Sequence, residues 1–350
     1  MNKDNFIILP EQTRINAFTE TATRKALPSV AVEKDWWVTA VLRALFVLPY
    51  AKHLSFKGGT SLSKCYNLIE RFSEDIDIAV NREKPDFTNS HTKIRNYFRR
   101  AACKFVREEL QFDIKKQLEI NSIKSNYFSV NVDITPITTT DPEIIEIVYQ
   151  SLFDDNDYIK PIVKIEVSGR SMSEPLQTVK IQSIIDEVFT DMPFKNNPFD
   201  VNAVLPQRTF IEKICLLHEE FSKPQKLIRS EKMSRHLYDL VRIMDTDIAE
   251  KALNDKVLYT SIIEHRKIFF GLNGFDYSTL APKTVNIVPP ENIIELWKSD
   301  YEIMQQTMIY GKSLPFDKLI EKIKQLNVKI NELEWQKNIS TTFCKGAKYN

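Results

Sequence analysis

A chain with only seven glycines in 350 residues sets two of them side by side, Gly58 and Gly59, straight after the short apolar stretch "HLSFK". Glycine belongs where a backbone needs a positive φ or must let another group come close. Thr60 and Ser61, which follow, are helix-capping residue types, and Leu62, Cys65, Tyr66 and Ile69 recur at helical spacing. Next comes "RFSEDIDIAV", an apolar run interrupted by Asp75 and Asp77. Strand, glycine turn, helix and strand in that order predict one site: the intervening helix returns the chain so that the two aspartates lie beside the glycines.

The residue types suggest its chemistry. In an extended strand Asp75 and Asp77 share a face, with Cα atoms roughly 6.6–7 Å apart. Two such carboxylates repel, burial worsens the repulsion, and a cation relieves it. An oxygen-only ligand set without Cys or His favours Mg²⁺ or Mn²⁺. A third carboxylate on a neighbouring strand would permit two ions about 3.5–4 Å apart, one for the attacking and one for the leaving oxygen. Glu166 and Asp133 are the candidates, both on polar faces of alternating strands. Side-chain-free backbone leading into a helix N-terminus offers N–H groups and a positive dipole end to phosphate. An isolated Gly pair is usually a plain turn, and an Asp-x-Asp strand can be a solvated edge. The two on consecutive elements favour the site.

Elsewhere the chain divides near residue 205. Residues 1–204 mix helices with short alternating strands, and 205–350 are mostly helical by apolar periodicity. "VEKDWWVTAVLRALFVL" predicts a helix, as does 92–110, with Ile94, Tyr97, Phe98, Ala101 and Phe105 as its apolar stripe. "YFSVNVDI" and "IVKIEVSGR" alternate as strands. The fold class expected is α+β: a small mixed sheet flanked by helices, followed by a C-terminal helical domain. A composition of 43% hydrophobic residues supports a substantial core, and a formal net charge of +1 excludes a generally basic nucleic-acid coat. Local patches remain, in "HTKIRNYFRRAACKFVREELQFDIKK" and "KPQKLIRSEKMSR", each reading first as a solvated helix face and second as a polynucleotide track. The four cysteines form no CxxC pair, which argues against a zinc ribbon or a disulfide framework. The start is too polar for a secretory leader and no stretch nears the roughly 20 apolar residues of a membrane span, so a soluble cytoplasmic protein is expected.

The ordered set "EKDWWVTAVLRALF", "LSFKGGTSLSK", "RFSEDIDIAV", the Lys-x-Glu of "VKIEVSGR", "RTFIEKICLLHEEF" and "RHLYDLVRIM" resembles the AbiEii/AbiGii-type nucleotidyltransferases, a branch of the polymerase-β-like superfamily. It spans about residues 30 to 245. The resemblance implies a metal-dependent transfer of a nucleoside monophosphate from an NTP to an acceptor hydroxyl. It further implies an RNA acceptor, a tRNA 3′ end, and a toxin held in check by a separately encoded antitoxin in a toxin–antitoxin or phage-defence pair. By resemblance Asp75, Asp77, Lys164, Glu166 and Glu212 are catalytic, Lys164 as the cation that neutralises developing phosphate charge. Gly58, Gly59, Thr60, Ser61, Lys64, Ser73, Arg208, Lys213 and Asp239 bind nucleotide, and Asp75, Asp77 and Glu166 hold the metal. Many relatives carry Gly-Ser where this chain has Gly-Gly-Thr-Ser, so Thr60 and Ser61 compete for the phosphate contact. Several of these residues also have a plain reading: Lys164 and Glu166, on one strand face, in structural ion pairs with neighbours, Arg208–Glu212 and Arg235–Asp239 as ordinary i,i+4 helix pairs, Ser73 as a turn residue. Two other functions fit the same motifs, transfer to a small molecule or a protein side chain, and a non-catalytic nucleotide-binding interaction module. A kinase fits less well, since no Walker A, HRD or DFG sequence is present.

Overall fold

In a computed structural model of the chain, the residues described are 4–73, 75–81, 91–154, 159–172 and 174–334. The chain opens with two helices, α1 (Glu11–Lys25) and α2 (Ser29–Phe46). Strand β1 (Leu54–Lys57) runs into the short α3 (Gly58–Lys64) and then into β2 (Asp75–Val80). The predicted strand–helix–strand order is therefore present, but α3 stops at Lys64 rather than running to Ile69. Asn67 takes a left-handed conformation at φ 51°, and the Leu68 N–H reaches back to the Leu62 carbonyl, a turn that closes the helix.

Helix α4 (His91–Phe105) continues through a wider π turn, Val106–Leu110, into α5 (Gln111–Ile120). Strands β3 (Phe128–Val132), β4 (Glu143–Tyr149), β5 (Ile162–Ser168) and β6 (Leu176–Ile181) follow. Then come α6 (Ile184–Val188) and β7 (Phe199–Val204). The seven strands form one mixed sheet in the order β3-β4-β5-β2-β1-β7-β6, in which β2–β5 and β1–β7 are parallel pairs and the others antiparallel. From residue 206 the described chain is helical: α7 (Pro206–Phe221), α8 (Ser234–Met244), α9 (Asp247–Asn254), α10 (Lys256–Phe269), α11 (Ile294–Thr307) and α12 (Phe316–Asn331). The architecture is the expected α+β class. None of the described helices is long and apolar enough to cross a membrane.

Alternation within each strand sends the two faces of the sheet to different partners. Ile76, Ile78, Ile145, Ile147, Val163, Ile165 and Val167 point to one side and pack with Trp36, Trp37 and Val41 of α2 and with Ile114 of α5. A second apolar cluster joins α7 to α12 around Phe210, Leu237, Tyr259, Trp297 and Ile323, and takes in Leu62 and Ile69 from the α3–β2 segment. That segment ties the helical part to the other face of the sheet.

The α4 stripe differs from the expected one. Phe98, Ala102, Cys103 and Phe105 are buried while Tyr97 is exposed. The helix is wedged between Gly169, where a Cβ would lie 2.5 Å from the Phe98 carbonyl oxygen, and α10, where Phe98 meets Phe269 at 5.8 Å between ring centroids. That two-sided packing fixes its rotation.

Candidate active site

The polar face of the central strands carries the acids. In the parallel β2–β5 pair Asp75 sits opposite Lys164 and Asp77 opposite Glu166; in the antiparallel β1–β2 pair Lys57 sits opposite Asp77. Three acids and two lysines thus share one face of the sheet, because in-register neighbours project from the same face. Helices α7, α8 and α10 cover part of that face but leave a cleft of about 440 Å³. Its sheet wall includes Lys57, Gly58, Gly59, Ser73, Asp75, Asp77 and Glu166, and its helical wall Glu212, Lys213, Arg235, His236, Arg266 and Phe270.

The glycine pair is explained by close approach. Gly58 has φ +77°, and a Cβ there would lie 1.9 Å from Asp77 Oδ2. At Gly59 a Cβ would press within 2.7 Å of an Arg71 nitrogen and 2.8 Å of Ser73 Oγ. The glycines therefore make room first for the Asp77 carboxylate and the Arg71 guanidinium, and through them shape the cleft floor.

Electrostatics set the acids apart from their surroundings. Burial raises the Asp77 pKa; Lys57 works against this and Asp75 reinforces it. Burial, then Asp77 and Asp75, push Glu166 up to about 7. Glu212 goes the other way: burial pushes it up, but Lys57 and Arg208 outweigh burial and hold it at about 2. Its carboxylate is 3.4 Å from Lys57 Nζ and 2.9 Å from Arg208 Nε.

Behind the helical wall lies a buried charge network. Arg71 Nε and Nη2 both donate to the Asp239 carboxylate at 2.7 Å, and Lys213 Nζ lies 2.9 Å from Asp239 Oδ2. Burial alone would raise the Asp239 pKa, but the two cations hold it well below the usual carboxylate range. Lys213 Nζ also lies 3.3 Å from His236 Nδ1. Burial first, then Lys213 and Arg235, drive the His236 pKa well below its ordinary value, so this imidazole is neutral at pH 7.

The structure thus brings Gly58, Gly59, Ser73, Asp75, Asp77, Glu166, Glu212 and Lys213 to one cleft. Other expected residues lie behind it or elsewhere. Thr60 is buried, with its hydroxyl bonded to Ser73 Oγ and the Asp75 carbonyl, and Ser61 is buried beside it. Lys64 turns to Asp35 of α2. Arg208 is spent on Glu212 and the Glu174 carbonyl. Asp239 acts through Arg71 and Lys213. Lys164, though in register with Asp75, is 45% exposed and 3.6 Å from Glu146, and does not line the cleft. Cationic groups lining the cleft instead include Lys57, Lys213, Arg235, Arg266 and Arg170. Asp133 follows edge strand β3 and is exposed, two strands from β5, so Glu166 is the acid in register with the aspartates.

Sequence reasoning missed Lys57, Arg71 and Arg170. Lys57 was legible as the polar residue just before the glycines, one strand position from a site already marked. Arg71 carried no signal of its own, since its partner Asp239 lies far away in sequence. Among the described residues no three acid, thiol or imidazole groups already converge as a closed metal cage. The donors available on the sheet are Asp75, Asp77 and Glu166, all oxygen, with Asp77 and Glu166 each pushed up partly by neighbouring carboxylates. That is an arrangement a hard divalent cation relieves.

A comparison with curated proteins finds no match. The family described as nucleotidyl transferase AbiEii toxin, type IV toxin–antitoxin system, matches residues 40–322, a span that contains both walls of the cleft. The chain belongs to the AbiEii family of nucleotidyl transferase toxins, whose type IV toxin–antitoxin setting implies a cognate antitoxin.

Proposed function

We propose that the cleft transfers a nucleoside monophosphate from an NTP to a hydroxyl of an RNA acceptor, a tRNA 3′ end, with Mg²⁺ or Mn²⁺ as cofactor. The observation that carries this reading is the opposition of two walls: Asp75, Asp77 and Glu166 on the sheet face Lys213 and Arg235 on the helices across one cleft, with Lys57 and the glycines at its floor. Acids on one side and cations on the other suit a metal–triphosphate placed between them.

Asp75, Asp77 and Glu166 would hold the metal, which supplies charge neutralisation at the polyphosphate and acidifies the acceptor hydroxyl. Lys57, Lys213 and Arg235 neutralise charge on the phosphates and on departing pyrophosphate. Asp239 and Arg71 position Lys213. The acceptor oxygen forms a bond to the α-phosphorus, the bond from that phosphorus to the bridging oxygen breaks, and pyrophosphate leaves. The acceptor proton goes to a sheet carboxylate or to water.

Support for a polynucleotide comes from α4. Arg95 donates to the Gly271 carbonyl and to Thr92 Oγ1 rather than to a carboxylate, and Arg99 is influenced by Asp141 without a salt bridge to it among the described residues. Burial, then the nearby Arg170, lower the Arg99 pKa, and Arg170 lines the cleft. Arg170 is itself paired with Asp141 at 3.0 Å, so the surplus positive charge beside it rests on α4, and such a surplus suits a polyanion.

The test incubates the purified chain with each labelled NTP in turn, Mg²⁺ and total tRNA, beside an Asp77→Ala variant. Label should appear in RNA, and the variant should lose it by at least about a hundredfold. Equal labelling by the variant, or none by the wild type with any nucleotide, ends this reading. Label in protein instead would move the acceptor to a side chain.

A further inference from the structure

On the opposite side of the sheet from the cleft, α1 and α2 enclose a second cavity of about 170 Å³ with the ends of β3 and β4. Its walls are mixed: Phe6, Phe18, Trp36, Trp37 and Tyr127 supply aromatic surface, and Glu11, Glu33, Gln150 and Ser151 supply polar groups. Among these aromatic rings the chain puts an arginine. Arg14 is 5% exposed, yet its guanidinium has no hydrogen bond or ion pair among the described residues, and its Nε is a buried donor without a partner. The Tyr127 ring lies 5.4 Å from Cζ, and Glu33 is close enough to interact with Arg14 electrostatically without a hydrogen bond to it.

A buried charge without a hydrogen-bonded partner is costly, and native chains rarely keep one without a use. The obvious partner is already engaged. Glu33, 1% exposed and also lining the cavity, accepts from Ser151 Oγ at 2.6 Å and from the Leu152 N–H at 2.8 Å. Arg14 is therefore a planar fork of donors beside a void, with its nearest acid turned to the backbone.

We propose that this cavity binds a small organic monocarboxylate of amino-acid size, its carboxylate on Arg14 and its apolar body against Trp36, Trp37 and Tyr127. The size fits, since about 150 Å³ holds one benzene ring, while drug-sized sites begin near 300 Å³. The fork geometry of guanidinium matches a carboxylate bidentately. Glu33 and Glu11 on the same lining disfavour a phosphate dianion. Glu11, one turn before Arg14 on α1, is exposed and on the same lining, so it is the acid available to an ammonium group of a zwitterion. This site is separate from the nucleotidyl-transfer reading and stands if that reading fails.

The test measures Tm and calorimetric binding of the full chain with leucine, isovalerate, leucinamide and inorganic phosphate, without nucleotide. Leucine or isovalerate should raise Tm by about 2 °C or more at roughly 10 mM, in a concentration-dependent way, and leucinamide and phosphate should not. Leucine binding tighter than isovalerate assigns an ammonium subsite to Glu11; equal binding leaves the carboxylate site without one. Arg14→Met should abolish the shift, and Arg14→Lys, which keeps the charge but loses the fork, should weaken binding at least about tenfold. If Arg14→Met does not fold, the Arg14→Lys result decides. No shift with either carboxylate, leucinamide binding as well as leucine, or an undiminished shift in Arg14→Lys overturns the proposal and leaves the cavity to water.

Discussion

Glu166 holds its proton up to about pH 7 in the folded chain, whereas an unfolded glutamate releases it near 4.5. The folded state therefore binds the extra proton between those values. Stability falls as pH rises from about 4.5 to 7, and the full penalty applies above 7. Glu166→Gln removes the penalty. Metal-free thermal denaturation should show Tm raised by on the order of 2 °C at pH 8 and unchanged at pH 4.5. The same variant should transfer nucleotide at least about tenfold more slowly, a trade expected where like charges are gathered for use. Gly58 has a different constraint. Gly58→Ala must adopt φ +77° and displace the Asp77 carboxylate from a point 1.9 Å from the new Cβ. It should cost about 2 kcal/mol in denaturant titration and most of the activity, because the displaced group is itself a site acid.

At the scale of elements, α8 presents Asp239 to two cations that belong to different parts of the chain, Arg71 before β2 and Lys213 on α7. Asp239→Asn leaves both buried and without a full counter-charge. The expected loss is about 3–5 kcal/mol, read from urea unfolding. Helix α4 allows a separation of functions. Changing Arg95, Arg99 and Arg100 together to Gln should raise the KM for RNA about tenfold or more and flatten its salt dependence. NTP binding, measured by equilibrium dialysis, should stay unchanged. These elements also show what a sequence can disclose. β2 and β5 were readable because alternation at Ile76, Ile78, Val163, Ile165 and Val167 is a local property. So was the site's acid pair. Which way Lys164 and Tyr97 point was not, since the first depends on Glu146 of a strand the periodicity did not isolate, and the second on Gly169 and Phe269 clamping α4 from both sides. The Arg71–Asp239 pair lay equally out of reach, its partners being brought together only where α8 packs against the segment between α3 and β2.

The whole molecule places its acids and its cations on two apolar cores joined through Leu62 and Ile69. A fragment ending at residue 204 keeps the sheet with Asp75, Asp77 and Glu166 but lacks Glu212, Lys213 and Arg235. It should give no labelled RNA at any concentration, and it should expose Leu62 of α3 and Ile69, which belong to the helical part's apolar core. Co-expression with 205–350 should restore measurable labelling if the two cores assemble from separate chains, and gel filtration of the mixture checks that assembly. Because synthesis runs from the N-terminus, the acid wall emerges from the ribosome well before Arg235, Arg266 and Phe270 complete the site. Any product that ends before α7 carries the acids without their opposing wall, so a truncated copy of this toxin should be inactive, and the nascent chain should gain activity only once its helical part has been made.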